Sequence, residues 1–588
     1  MAHFNTTPTP LLRLDGASVS WALTIIDRTD ICHHLDTWRR VDGYDPAKGG
    51  RPKSVNDRTI LALYLILARS GQPMHLTTMT TLLASPDTTD KALELLNLPS
   101  RDKARRVGDF YATQHSNWYY RLWRALHSFL DVVDPFDNIP HRARLTRAEF
   151  NRLMDEQDPE RREEKWQRAT YVFNELVMAS TEDMPEEYRA NWQGDLTLDG
   201  TLIPGVRRGN NRWTNRPDDL MSSEPEAGWY SRDERQETHG ESNRKRNAKH
   251  VWGWEATLVA GVIRDQGSYA QPHLIMGMAF DRPSHNPAIR GLEAMRHLTD
   301  DPETPKGTVV GDRAYFAVAK TKDFHEPLRK LGYTLVGDYR TNQLGKRGSY
   351  ETMGLVEGHW YCPAMPKPLV EATEDFYAGR IDEATYNQRI NERRAFAMRR
   401  KGKKLSGESQ MFMCPGRGKG KTLACPLVEK SQRQDARDRG LPSISGPNLS
   451  TARKAKGKCC TNKVSVTIPN KEGMRYRQTG PAFKTPEWKK VYGTWRNVIE
   501  TRNDYVKNNR GGAAIGDHAR RPVRGFAAAF FYTALGVVAA NVSMIRRFLG
   551  RVDRDEKTPP PDSGKPVPPR DPAREKASPN APPAREAA

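Results

Sequence analysis

Cysteine is scarce, with six residues in a chain of 588. That is too few to hold a protein of this length by disulfides, and it fits a reducing compartment. An acidic surplus is also missing. Lys and Arg number 93 against 72 Asp and Glu, a formal charge of +21. Such a balance disfavours an acidic-surface partner and favours a polyanion, nucleic acid foremost. Charge alone does not separate DNA from RNA or from an anionic membrane. The opening residues, MAHFNTTPTPLLRLDG, lack the basic start and continuous apolar run of a signal peptide, so a cytoplasmic location is expected. One long uncharged run is present, at 525–545, close to the length that spans a bilayer. Its Ala and Gly content, Asn541 and flanking arginines point to a buried core helix, with no membrane partner.

A chain this long exceeds one hydrophobic core and calls for several domains. Residues 1–100 are expected to be helical: a basic arm with Arg51 and Lys53 leads to an apolar helix from about Arg58 to Arg69. Gly71 and Pro73 break that helix before another starts near Leu76. This pattern suits a helix-turn-helix that reads DNA, and equally an ordinary helical bundle. Residues 101–190 form a helical support. From 191 to 344 the pattern becomes strand-like at 195–202, 252–263, 273–280, 307–311 and 333–337, with helices expected at 286–297 and 318–331. Three strands, then helix, strand, helix, strand is the order of an RNase H-like domain. Residues 345–480 form a basic insertion, part β and part loop, carrying five of the six cysteines. Residues 481–550 return to helix, and 551–588 form a Pro-rich tail expected to be disordered. The fold class is therefore α/β: an RNase H-like mixed sheet, interrupted before its last helix and preceded by a helical DNA-binding domain.

Three carboxylates stand out. Asp199 closes the run GDLTLDGT, where a strand would put it on one face with Thr197; Asp195 is its rival on that face, and Gly200–Thr201 favour Asp199 by leaving backbone room. Asp312 follows the apolar GTVVG, as a ligand at the end of a sheet strand would. Glu500 lies on a helix opened by Thr485 and Pro486, with Trp488, Tyr492, Trp495 and Ile499 as its buried stripe. At about 100° per residue, Glu500 falls about 40° and Lys507 about 20° from Arg496. The glutamate can then face a metal while the two cations grip phosphates. A salt-bridged surface helix gives the same stripe, and each aspartate alone fits a turn. Convergent carboxylates suit two Mg²⁺ (or Mn²⁺) ions about 4 Å apart that cleave phosphodiesters.

Arg496-x3-Glu500-x6-Lys507, Asp199-Gly200-Thr201 and Gly311-Asp312-Arg313-x-Tyr315, in this order, resemble the bacterial insertion-sequence transposases of the Asp-Asp-Glu type. The similarity spans roughly residues 45–550, including the long segment between the second aspartate and the glutamate. Gly493 stands where the family often has tyrosine, with Tyr492 beside it. The resemblance implies Asp199, Asp312 and Glu500 as catalytic metal ligands. It also implies double-stranded DNA (element ends and target) as partner, a homodimer in the DNA complex, and a nucleoid-associated bacterial enzyme. Water would expose a 3′-OH that then attacks target DNA.

Cys362, Cys414, Cys425, Cys459 and Cys460 are candidates for a structural Zn²⁺, although no C-x2-C pair exists. Beyond Arg313, Arg496 and Lys507, the expected DNA contacts are Arg51, Lys53, Arg244, Lys245, Arg246, Arg520 and Arg521. Trp229, Tyr230, Trp252 and Trp254 could stack on a base or fill a strand core. A non-catalytic DNA-binding protein, whether regulator or inactivated transposase, and another RNase H-like nuclease remain the alternatives.

Overall fold

The structure is a computed structural model that describes residues 13–45, 53–99, 111–232, 249–264, 270–402, 408–444, 446–454, 465–521 and 524–557. The described residues build a mixed α/β fold whose largest sheet has six strands. At its centre lies β1 (Leu196–Pro204). One edge of β1 pairs antiparallel with β3 (Lys249–Gly261) along its whole length. The other pairs in parallel with β5 (Thr308–Gly311), which pairs in parallel with β6 (Thr334–Val336). Two strands, β2 (Gly228–Arg232) and β4 (Ile275–Asp281), pair antiparallel with β3.

Alternation along the strands fills both faces of this sheet. Leu196, Leu198, Val309 and Leu335 enter one apolar cluster with Tyr315, Phe324 and Leu328. Their neighbours Val310 and Val336 enter another with Tyr339, Trp488 and Trp495. The second cluster seats the helix Pro486–Lys507, capped by the Thr485 hydroxyl, which accepts the Trp488 N–H at 3.3 Å. Thr197, between the two leucines of β1, donates its hydroxyl to the Trp495 carbonyl at 3.1 Å. Glycine is required at Gly277, where a Cβ would stand 2.0 Å from the Ala294 carbonyl of the helix Pro287–Ala294.

The outer edge of β4 is closed by two buried asparagines. Asn174, on the helix Pro159–Thr181, accepts the Met278 N–H at 2.7 Å and donates to its carbonyl at 2.9 Å. Asn541, on the helix Phe526–Lys557, treats Ile275 the same way, at 2.9 Å in both directions. Each side chain imitates a missing strand, which is how an edge buried beneath helices keeps its backbone groups satisfied. The helix bearing Asn541 has the length and composition to cross a membrane, and its most apolar window is 94% buried in this fold.

Several expectations need adjusting. The helix expected at 318–331 is shorter, a 3-10 turn Thr321–Asp323 followed by His325–Lys330. Pro327 lacks an N–H and tolerates only the first turn of a helix, so it cannot sit deep inside a longer one. The helix expected at 286–297 divides into Pro287–Ala294 and Arg296–Asp300. Strand β2 has no strong alternation of its own and is held by its register on β3. The β part of the insertion, expected as part β and part loop, consists among the described residues of two three-stranded antiparallel sheets, β7 to β9 (Lys346–Tyr350, Met353–Val356, His359–Tyr361) and β10 to β12 (Arg399–Lys401, Ser409–Met413, Ser465–Pro469).

The helix pair Asp57–Arg69 and Leu76–Ala84 forms with Gly71 between them at φ +63°. Its first helix is enclosed, with Tyr64 packed against Phe531 and Tyr532. The turn docks on the loop before the apolar helix, where Met74 N–H donates to the Arg520 carbonyl at 2.9 Å. Residues through Ile545 consequently cluster as one unit.

Replacing Asn541 with Leu leaves the buried Ile275 N–H and carbonyl unpaired. The expected cost is about 2–4 kcal/mol, read as a lower urea midpoint in denaturation followed by circular dichroism. A shift below about 0.5 kcal/mol would mean that the asparagine is not what satisfies this edge.

Candidate functional site

Strand register brings the two aspartates together. The last paired positions of the parallel strands are Leu198 and Gly311. One residue further on, Asp199 and Asp312 emerge where β1 continues and β5 ends. Asp312 turns the chain by accepting the Ala314 N–H at 2.7 Å. The helix Pro486–Lys507, seated on β1 through Thr197, presents Arg496, Glu500 and Lys507 to the same place. All five residues line one cleft of about 580 Å³, with Tyr230, Glu255, Tyr315 and Asp504.

Arg496 occupies the middle of this constellation. Its Nη2 donates to Glu500 Oε1 at 3.1 Å. Its Nη1 lies 3.1 Å from Asp199 Oδ1, an ion pair without the alignment of a hydrogen bond. Burial lowers the guanidinium pKa, but Asp199 and then Asp312 outweigh it and the net shift is upward. Asp199 is displaced upward from the ordinary carboxylate value, by burial first, with Asp312 and Glu500 adding to it and Arg496 opposing.

Two neighbours clarify the sequence signals. Asp195, the rival of Asp199, is a brace: it accepts the Thr308 N–H of β5 at 2.7 Å and Arg264 Nη2 at 2.6 Å. Glu255 on β3 is a further carboxylate of the cleft, outside the sequence motifs. The signal for it was one charged residue inside the apolar stretch WGWEATLVAG. Its carboxylate accepts the Ser284 N–H at 3.1 Å, and burial, followed by Asp199 and Asp312, holds its pKa above the usual value. Gly200 makes space for this group, since a Cβ there would lie 2.6 Å from Glu255 Oε1. The backbone room beside Asp199 thus belongs to Glu255.

The metal expectations are corrected. Among the described residues, no group of three or more His, Cys, Asp or Glu is arranged to hold a metal ion. Asp199, Asp312 and Glu500 therefore do not form the expected site for two Mg²⁺ or Mn²⁺ ions. The physical reason is the placement of Arg496, whose cation stands between Asp199 and Glu500, while Asp312 turns an oxygen to its own backbone. Nor do the described cysteines, Cys362, Cys414 and Cys425, form the expected Zn²⁺ site. Cys362 and Cys425 pack with Leu369, Phe396 and Leu423, and Cys414 is buried. Cys459 and Cys460 lie outside the described residues.

The basic candidates separate by location. Arg496 and Lys507 line the cleft. Arg313 turns to Asp338, with Nη2 at 2.8 Å. Arg521 is 1% exposed and donates to the Ile515 and Pro204 carbonyls, both at 2.8 Å, while Arg520 donates to the Gly71 carbonyl. Lys53 lies 3.8 Å from Asp57. Arg51, Arg244, Lys245 and Arg246 lie outside the described residues. Trp254 is a core side chain, Trp229 is partly exposed, and Tyr230 lines the cleft. Tyr492 stacks on Trp488 at 4.4 Å, whereas a side chain at Gly493 would meet nothing within 4 Å.

Because Glu255 ionises above its ordinary 4.5, ionisation costs the folded state stability, increasingly as pH rises from 4.5 through the raised value. Glu255→Gln should raise the melting temperature at about pH 8 and leave it nearly unchanged at about pH 3, below the ordinary carboxylate range, where the glutamate is protonated in the folded and the unfolded chain. Equal effects at both pH values would remove the electrostatic origin. No protein-family model, curated protein or solved structure matches this chain.

Proposed function

We propose that this protein cleaves and joins DNA strands as a transposase of the Asp-Asp-Glu type, on an RNase H-like sheet. The observation that carries this reading is the cleft itself, which gathers Asp199, Asp312, Glu500, Arg496 and Lys507 from two strands and a distant helix. The strand order supports it as well. Leaving β2 aside, the sheet runs β4-β3-β1-β5-β6, three antiparallel strands followed by two parallel ones.

In the proposed reaction, the oxygen of water bonds to a phosphorus of the DNA backbone and the P–O3′ bond breaks. The water proton passes to a carboxylate of the cleft, and the leaving 3′ oxygen takes up a proton to become a hydroxyl. In the joining step that hydroxyl attacks a target phosphodiester, and the target 3′ oxygen leaves in turn. Asp199, shifted upward by burial, is suited to accept the proton. Arg496 and Lys507 suit the phosphate oxygens, with arginine able to bind two at once. The excess positive charge favours capture of the polyanion. Two copies would hold the two element ends, in the cytoplasm at the nucleoid; the burial of the apolar helix supports a water-soluble enzyme.

The Arg496 bridge also favours a second reading, a DNA-binding protein without catalysis, because it ties up two of the carboxylates. Product analysis decides between them. Purified protein, an end-containing fragment and a target plasmid should give joined products on a gel. Glu500→Gln should abolish them with DNA binding retained. Bound but uncut DNA, or joining that survives Glu500→Gln, would refute the catalytic assignment. Lys507→Ala should weaken binding uniformly across sequences and reduce the slope of log affinity against log salt by about 0.9. An unaltered slope would exclude Lys507 from phosphate contact.

A further inference from the structure

The insertion meets the sheet at a cluster of arginines. Arg329 lies on the helix His325–Lys330 beside β6, Arg400 on β10, and Arg477 in the segment that returns from β12. Arg329 and Arg477 are each 3% exposed, whereas Arg400 stands at the surface. Their few contacts are neutral. Arg329 donates through Nη2 to the Arg477 carbonyl, Arg400 through Nη2 to the Thr479 carbonyl, and Arg477 through Nη1 to Asn470 Oδ1 at 3.3 Å. Three buried donor atoms, Nε and Nη1 of Arg329 and Nη2 of Arg477, have no hydrogen-bond partner. None of the three arginines forms an ion pair among the described residues.

This departs from what burial demands. Buried charges are normally paired, and buried guanidinium donors normally satisfied, because each failure opposes folding. Burial first, and then the neighbouring arginines, lower Arg329 to about 9 and Arg477 to about 10, so both stay cationic at neutral pH. The neighbouring His359, lowered to about 4 chiefly by burial, is neutral and supplies no compensation. In sequence, the segments that follow β10 and precede β12, 403–407 and 455–464, contain lysines and no Asp or Glu.

We propose that this junction binds one small tetrahedral oxyanion of the phosphate class, held by Arg329 and Arg477 with Arg400 at its mouth. Planar guanidinium forks match the oxygens of such an ion, and its charge offsets the cluster. Burial of the two inner arginines excludes a duplex or a peptide and leaves free phosphate or the terminal phosphate of a nucleotide. The bound ion would tie the insertion to the sheet, since the helix Arg329, strand β10 and the returning segment each supply one cation.

The test is equilibrium dialysis of the full-length protein with radiolabelled inorganic phosphate in moderate salt. Saturable binding of close to one phosphate per chain is expected. Arg329→Met with Arg477→Met should weaken it at least about tenfold, while Arg152→Met, which removes an exposed charge, should leave it intact. AMP that competes more strongly than phosphate would assign a nucleotide as the source; weaker competition would assign the free ion. Thermal melts guard against misfolding. In phosphate-free buffer the double variant should melt at or above the parent temperature, because it removes uncompensated buried charge. The parent alone should gain about 1 °C per tenfold phosphate above saturation. Non-saturable binding, equal loss in Arg152→Met, or a double variant destabilised alike with and without phosphate would overturn the proposal.

Discussion

A single guanidinium, that of Arg496, reaches Asp199 on the sheet and Glu500 on its own helix, each at 3.1 Å, and the cleft is organised around it. Without that cation, Asp199, Asp312, Glu255 and Glu500 would face one another in a partly desolvated space, where like charges raise one another's pKa and repel. With it, the glutamate helix and the central strand are joined by charge as well as by the hydrogen bond from Thr197 to the Trp495 carbonyl. The same placement explains why the carboxylates do not present an open set of oxygens to a divalent ion. A positive group already stands among them. Any anionic substrate that draws Arg496 toward its own phosphate would change the environment of two carboxylates at once.

That bridge depends on a sheet whose alternate residues belong to different layers. Val309 and Val310 are neighbours in sequence yet enter opposite clusters. The arrangement fixes which side of β1 meets the glutamate helix, so a register slip of one residue would turn Asp199 away from Arg496. Asn174 and Asn541 protect the register at the far edge by pairing the open backbone groups of β4.

The positive charge of the chain is not a uniform coat. Arg521 joins the end of β1 to the Ile515 loop, Arg393 is buried against Glu357, and Arg168 binds Asp42 and Glu164. These arginines serve as long multi-donor connectors between segments, a use that suits the planar, five-donor guanidinium. Net charge therefore overstates the surface open to a polyanion, and only position distinguishes Arg496 or Lys507 from Arg521.

Much of the architecture was legible in local pattern. The Thr485 cap and aromatic stripe of the glutamate helix, the strands at β1 and β3 to β6, and the 525–545 run as a buried helix all follow from hydrophobic periodicity, because burial of one face imposes it. The insertion was legible only as part β, without its strand positions or pairing, and the short strand β2, which pairs with a strand about twenty residues on, was not legible. Nor was Glu255, whose importance exists only through the strand beside it. The residues by themselves determined the central strands β1 and β3 to β6, the glutamate helix and the apolar helix, and which carboxylates lie at strand ends. Tertiary structure alone decided that Asp195 braces while Asp199 faces the cleft, that Arg496 stands among the carboxylates where metal was expected, and that Arg521 is buried. Charge, burial and coordination depend on distances between segments remote in sequence, and those distances exist only once the chain is folded.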